Sequence, residues 1–162
     1  MSFRSKGEEK LYNNYLLKYL SSNVKIIQEV ALKNYGCPRK LSADFLLCNI
    51  YNEPMAVIEV QGLQHFQDEK VIERDAFKRR WCHDNFISYV DIYWDCKKLD
   101  FTVWAQEWKE EWAEDSFIGF LENINEFSTI KYPSLEERNK NREEWIKILA
   151  NEMQKLISQL NS

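Results

Sequence analysis

The spacing of hydrophobic and polar positions changes several times along the N-terminal half of the chain. Apolar residues recur at helical spacing from Gly7 to Leu20, which predicts a first helix. A short β-branched run at 24–30 predicts a strand. Two more strands are predicted at 41–50 and 55–60. Because Asn52-Glu53-Pro54 between them has the composition of a tight reversal, these two strands should form a hairpin.

The pattern beyond this hairpin predicts further helices and one more strand. A polar helix is expected from about Lys70 to Asn85, followed by a strand at 86–93. The remainder is typical of two helices, near 103–126 and 135–160, which Pro133 separates. This order of elements predicts an α/β fold with a mixed central sheet.

The length and composition are those of one compact domain. The chain has 162 residues, 44% of them apolar, and only four glycines and three prolines interrupt it. We expect a core in residues 1–100 and a helical extension in residues 101–162. The extension would pack on the core or form a partner interface, within a single domain overall.

The termini and the cysteines bear on the compartment. The first ten residues lack an apolar signal core, and no run of about eighteen apolar residues occurs. The expected location is therefore the cytoplasm. The four cysteines show no Cys-x-x-Cys spacing, which favours reduced, buried thiols over a zinc site. They are Cys37, Cys48, Cys82 and Cys96.

Charge is distributed unevenly along the chain, although the net charge is only −4. Residues 1–100 hold 15 Lys and Arg against 14 Asp and Glu, and residues 101–162 hold 7 against 12. The first part can present a basic face to a polyanion. Chance and a solvated acidic helix explain the same asymmetry equally well.

Two acidic residues interrupt the predicted hairpin strands. In the first strand, alternation places Asp44 on the face opposite to that of the apolar Phe45. In the second strand, Glu59 follows Val57-Ile58. A carboxylate removed from water requires a partner or a cation, since burying it alone costs several kcal/mol. Carboxylates from adjacent strands are suitable ligands for Mg²⁺. For either acid alone, a surface carboxylate on a half-exposed strand is the alternative.

The second hairpin strand opens a longer motif, which reads Glu59-Val60-Gln61-Gly62-Leu63-Gln64-His65-Phe66. Asp75-Ala76-Phe77-Lys78 and Trp81-Cys82 follow, and Gly7-Glu8 opens the first helix. This ordered set resembles the PD-(D/E)xK, or restriction endonuclease-like, nuclease superfamily. It is most similar to members with an E-x-D-G-x-x-H-F-like motif. The resemblance covers roughly the first 95 residues.

The resemblance implies a three-layer core and a Mg²⁺- or Mn²⁺-dependent endonuclease. Asp44 and Glu59 would be the metal-binding pair, with the main-chain carbonyl of Val60 as a further ligand. Glu8 would approach from the first helix, as an outer-sphere partner or a direct ligand. Glu8 rather than Glu9 shares the apolar stripe of that helix. The alternative for Glu8 is a solubilising charge near a helix N-terminus.

The sequence departs from the family pattern at Gln61, where the motif most often has lysine. A lysine would position the attacking water and stabilise developing charge, whereas an amide can only orient the water. Either Gln61 acts alone, or Lys78 from the next helix supplies the charge. An ion pair with Asp75 is the alternative for Lys78. A third reading is an inactive site that only binds nucleic acid.

A basic helix and a histidine predict contact with a nucleic acid. The expected partner is DNA rather than RNA. Such residues would hold phosphates, although charge runs on helices are often solvated surface. His65 follows the metal strand and would touch a phosphate or hold the loop, with simple packing as its alternative. The basic residues are Arg74, Lys78, Arg79 and Arg80.

Three tryptophans recur every four residues in the C-terminal third. Trp104, Trp108 and Trp112 predict an aromatic stripe along a helix that packs against the sheet or forms a homodimer. Stacking on exposed bases is the alternative. The leading functional hypothesis is thus a metal-dependent nuclease. The alternative is a catalytically inactive nuclease-fold protein that binds nucleic acid or a protein partner.

Overall fold

The computed structural model describes residues 2–62, 68–95, 100–104, 113–140 and 142–161. The chain divides into two compact units, Met1–Tyr132 and Pro133–Ser162. The first unit has the mixed α/β architecture that the sequence predicts. None of the helices in the described ranges combines the length and apolar character needed to cross a bilayer.

A mixed sheet forms the centre of the first unit. Its strands in the described residues follow one another in sequence order, β1-β2-β3-β4-β5. The β3–β4 pair is parallel, and the other neighbouring pairs are antiparallel. The predicted strands and the predicted hairpin, β2 with β3, are confirmed. The strands are β1 Lys25–Ala31, β2 Ser42–Cys48, β3 Pro54–Gln61, β4 Ser88–Asp95 and β5 Asp100–Trp104.

Helices precede, interrupt and follow the sheet. The first helix begins as α1, passes through a π-helical turn at Tyr12–Leu16 and ends as α2. Helix α3 makes the crossover from β3 to β4, as a parallel pair requires. The second unit consists of α5 and α6. The helices are α1 Lys6–Leu11, α2 Leu17–Tyr19, α3 Glu69–Asp84, α4 Ala113–Phe127, α5 Leu135–Lys140 and α6 Arg142–Leu160.

The predicted helix near 103–126 was wrong at its beginning. Residues up to Trp104 form β5, which pairs antiparallel with β4. The stretch Phe101-Thr102-Val103-Trp104 is aromatic and β-branched, which favours a strand more than the four-residue recurrence of tryptophan favours a helix. Residues 101–162 are therefore not helical throughout. Trp108 and Trp112 lie outside the described residues.

The hydrophobic core lies on one face of the sheet. Phe45 and Ile58 from the hairpin are fully buried against Leu11 of α1 and against Phe117 and Leu121 of α4. Helix α4 thus belongs to the core of the first unit. Because side chains alternate along a strand, the residues next to these core positions lie on the opposite face of the sheet, which α3 covers.

Gly7 allows α1 to approach the sheet closely. A Cβ atom at this position would lie 2.8 Å from Cγ of Trp94 and 3.0 Å from Cγ1 of Val60. These distances are too short for a side chain, so only glycine fits without movement of the helix or the sheet. The close approach brings the next residue, Glu8, to the end of β3.

Substitution of Gly7 by alanine should lower the free energy of unfolding by about 1–3 kcal/mol, the usual range for overpacking. Gly119 in α4 is the matched control, because no described atom lies within 4 Å of its added Cβ. Gly119→Ala should raise the free energy of unfolding by up to about 1 kcal/mol through helix propensity. Urea unfolding of both variants measures the difference. Equal effects would contradict the close approach of α1.

Candidate active site

A cavity of about 510 Å³ opens where β2 begins and β3 ends. The antiparallel hairpin brings these two strand ends together, and α1 and α3 contribute the remaining walls. Seven of the site residues predicted from the sequence line it together. They are Glu8, Asp44, Glu59, Val60, Gln61, Arg74 and Lys78.

The two hairpin acids are tied to each other through the backbone. Oδ2 of Asp44 accepts a hydrogen bond from the Val60 N–H at 2.7 Å. The Asp44 N–H in turn donates to Oε2 of Glu59 at 3.4 Å. These contacts hold both carboxylates at one end of the cavity, as the hairpin prediction requires.

Glu59 is buried and has a cationic partner. Its side chain is only 6% exposed, and Nζ of Lys78 donates to Oε1 at 2.5 Å. Burial raises the pKa of Glu59, the charge of Asp44 raises it further, and the ammonium of Lys78 opposes both. A buried carboxylate of this kind depends on its counter-charge.

Lys78 therefore lies in the site. The sequence left open whether it would reach the hairpin or pair with Asp75 on its own helix. Its ammonium contacts Glu59, and both Lys78 and Asp75 line the cavity. Lys78 and Gln61 thus line the same cavity, and Lys78 brings a positive charge to it.

Glu8 turns inward from α1, whereas Glu9 is exposed. Oγ of Ser5 caps the helix by accepting from the Glu8 N–H and donates to Oε2 of Glu8, both at 3.2 Å. The other oxygen, Oε1, is buried and has no hydrogen-bond partner among the described residues. Burial, and then the charge of Asp44, raise the pKa of Glu8 to about 7.

The raised pKa of Glu8 predicts a pH-dependent contribution to stability. The folded state binds the proton more tightly, so this stabilisation is complete below the ordinary pKa and is lost as the pH rises through about 7. Glu8→Gln should match the parent protein near pH 4.5 and be more stable at pH 8. Urea unfolding of the parent and Glu8→Gln between pH 4.5 and pH 8 measures this difference in stability, with Glu9→Gln as the control. A stability difference independent of pH would contradict the assignment.

Gln61 is held by a residue that sequence reasoning missed. Nε2 of Gln61 donates to Oδ1 of Asp91 at 2.6 Å, and Nη2 of Arg79 donates to Oδ2 at 2.7 Å. The Oε1 atom of Gln61 is buried without a partner among the described residues. Asp91 carried the same signal as Glu59, an acid inside an apolar strand.

The predicted basic residues lie in different places. Arg74 lines the cavity, whereas Arg79 contacts Asp91 and is absent from the described lining. Arg80 is exposed on α3, and His65 lies outside the described residues. Sequence reasoning did not single out Arg4 or Lys40, which also line the cavity. They precede motif residues without belonging to a recognisable pattern.

The donor set suits a hard cation. The described residues contain no group of three His, Cys, Asp or Glu side chains that could hold a metal ion unaided. The carboxylates of Asp44, Glu59 and Glu8 nevertheless bring oxygen atoms to the cavity lining, and Oε1 of Glu8 has no hydrogen-bond partner among the described residues. Mg²⁺ binds through one or two carboxylates and keeps several waters, so these residues fit it.

None of the cysteines in the described part of the chain lines this cavity. Cys37, Cys48 and Cys82 are free and buried, as predicted, while Cys96 lies outside the described residues. Burial raises the pKa of Cys82 to about 12. The thiol is therefore protonated at neutral pH and is a poor nucleophile.

Comparison with protein families places part of the chain beside a family without a known function. Residues 38–103, less than half of the chain, are similar to a family described as a protein of unknown function (DUF2726). The matched stretch includes Asp44, Glu59, Gln61 and Lys78, but not Glu8. No curated protein and no solved structure matches the chain.

Proposed function

We propose that this protein is a divalent-metal-dependent nuclease with a restriction endonuclease-like fold, which hydrolyses phosphodiester bonds, with DNA as the favoured substrate. The observation that carries the proposal is the joining of Asp44 and Glu59 across the hairpin, at a cavity that Gln61 and Lys78 also line. The hairpin, the crossover helix α3 and the parallel strand β4 support the proposed fold.

The roles of the residues follow from their charges and positions. Asp44, Glu59 and the Val60 carbonyl would hold Mg²⁺ or Mn²⁺, with Glu8 beside them. When bound, the cation supplies Lewis acidity and lowers the pKa of a bound water. Positive charge from Lys78 can stabilise the charge that develops on the phosphate oxygens.

Binding of the substrate backbone falls to basic residues around the cavity. Arg74 and Lys40 line it beside the acids, where a phosphate needs counter-charge. Gln61 contributes a neutral acceptor that can orient the attacking water. Arg80 remains a candidate for contacts farther along α3.

A second candidate function is nucleic-acid binding without cleavage. It is favoured by the fact that both hairpin acids already have protein partners. Asp44 accepts from the Val60 N–H, and Glu59 accepts from Lys78. Carboxylates satisfied in this way do not require a cation for stability.

A cleavage assay separates these functions. The protein is incubated with Mn²⁺ and with supercoiled, linear, single-stranded and branched DNA and RNA. Asp115→Asn serves as a control, because Asp115 is exposed on α4. Cleavage by the parent and the control supports the nuclease. Binding without cleavage on every substrate supports the second candidate, and the absence of both overturns the two together.

A further inference from the structure

The amide of Gln61 has a single orientation in this structure. The residue is only 3% exposed, and its Nε2 donates to Oδ1 of Asp91 at 2.6 Å. An ionised carboxylate can only accept hydrogen bonds, so it contacts the NH₂ end of the amide. The carbonyl end, Oε1, must then point away from Asp91.

Arg79 holds the carboxylate that orients Gln61. Its Nη2 donates to Oδ2 of Asp91 at 2.7 Å, and its guanidinium lies 5.3 Å from the ring centroid of Tyr89. Asp91 is only 5% exposed, and a buried carboxylate that lost its cationic partner would destabilise the fold. Each oxygen of Asp91 thus has its own donor, and rotation of the carboxylate would break both contacts.

The oriented amide leaves one acceptor unsatisfied. Oε1 of Gln61 is buried and lacks a hydrogen-bond partner among the described residues, although Gln61 lines the cavity. Buried acceptors are nearly always paired with protein or with ordered water. Because Gln61 lines the cavity, a water molecule or a hydroxyl group in the cavity can supply the missing donor.

We infer that Asp91, held by Arg79, is a positioning residue that fixes Gln61 so that Oε1 accepts a hydrogen bond from the attacking water. This inference rests on the proposed function. In the hydrolysis the water oxygen forms a new P–O bond and the ester P–O bond breaks. The proton of the water passes to solvent, and the leaving oxygen takes a proton from solvent. Gln61 orients the water throughout and gains no proton.

A double-mutant cycle tests whether Asp91 acts through Gln61. Single-turnover rates at saturating Mn²⁺ are compared for the parent, Gln61→Ala, Asp91→Asn and the double variant. Each single change should lower the rate roughly 10²-fold, as loss of a positioned group does. The double variant should be no slower than Gln61→Ala, since Asp91 then has nothing to position. If the loss of rate in the double variant is instead the product of the two single losses, the inference is overturned.

A half-exposed residue provides the variant that keeps the fold. Arg79 has a side chain that is 46% exposed, so Arg79→Gln should fold normally. It should lower the rate in the parent background and have no effect on Gln61→Ala. Mn²⁺ affinity, measured by titration, should stay unchanged in all these variants. An equal loss of rate in both backgrounds would mean that Arg79 acts independently of Gln61. That result would overturn the role of Arg79 in holding Asp91.

Exchange of the Gln61 amide protons separates this inference from the proposed function. The side-chain NH₂ signals, assigned by their loss in Gln61→Ala, should exchange slowly with solvent in the parent and rapidly in Asp91→Asn. If the parent protein cleaves and its Gln61 amide protons exchange rapidly, the positioning role of Asp91 is refuted and the proposed nuclease function is not. Slow exchange in a parent that cleaves no substrate would refute the nuclease, and with it the role of Oε1.

Discussion

Asp44→Asn should lower the single-turnover cleavage rate by roughly 10³-fold at saturating Mn²⁺, the upper range for loss of one electrostatic group in an active site. The carboxylate supplies negative charge to the cation site, whereas the amide of asparagine is neutral. Asparagine has nearly the same shape, and its oxygen can still accept from the Val60 N–H. The fold should therefore remain intact, and the loss should be confined to metal binding and cleavage.

Two measurements check this result. A thermal melt should show that Mn²⁺ stabilises the parent protein and no longer stabilises Asp44→Asn, because a ligand stabilises only the state that binds it. Asp115→Asn, the same chemical change on the exposed face of α4, should behave as the parent in both assays. A full cleavage rate in Asp44→Asn would show that the metal site lies elsewhere.

Lys78→Met should lower the free energy of unfolding at pH 8 by about 3–5 kcal/mol, because it leaves a buried carboxylate without its counter-charge. The side chain of Glu59 is only 6% exposed, so water cannot replace the missing ammonium. The raised pKa of Glu59 fixes the sign of the pH dependence. A proton on Glu59 removes the buried negative charge, and this proton is lost as the pH rises. Lys78→Met should therefore regain stability as the pH is lowered.

The double variant Glu59→Gln with Lys78→Met should recover most of this stability, since it leaves no buried charge. Mn²⁺ should stabilise Lys78→Met more than the parent, because a cation then supplies the missing positive charge. Lys70→Met, at an exposed position of the same helix, is the control. Urea unfolding measures the stability of Lys78→Met, of the double variant and of Lys70→Met. Unchanged stability in Lys78→Met would mean that the ion pair with Glu59 is not formed in solution.

The hairpin and its acids could be predicted because their signals are local. Period-two alternation, a turn sequence and a charge within each apolar strand were enough to bring Asp44 and Glu59 together. The mixed sheet followed from the order of the elements. The specific nuclease fold stays a prediction, since it depends on the motif resemblance.

The partners of Gln61 could not be predicted, because they depend on strand pairing over a long separation. Gln61 and Asp91 lie 30 residues apart and meet only through the parallel register of β3 with β4. The choice of Lys78 between two acids likewise depended on how α3 lies on the sheet. A lysine introduced by Gln61→Lys would meet Asp91, so such a variant should form an ion pair with Asp91.

The parallel register also determines when the site assembles during folding. Asp44 and the Val60 N–H are 16 residues apart within one hairpin, whereas β4 joins the sheet only after α3 has formed the crossover. Contacts between distant segments form slowly, because the intervening chain must first be ordered. The acidic pair should therefore form early on the folding pathway, and the contacts that Asp91 and Lys78 make should form last.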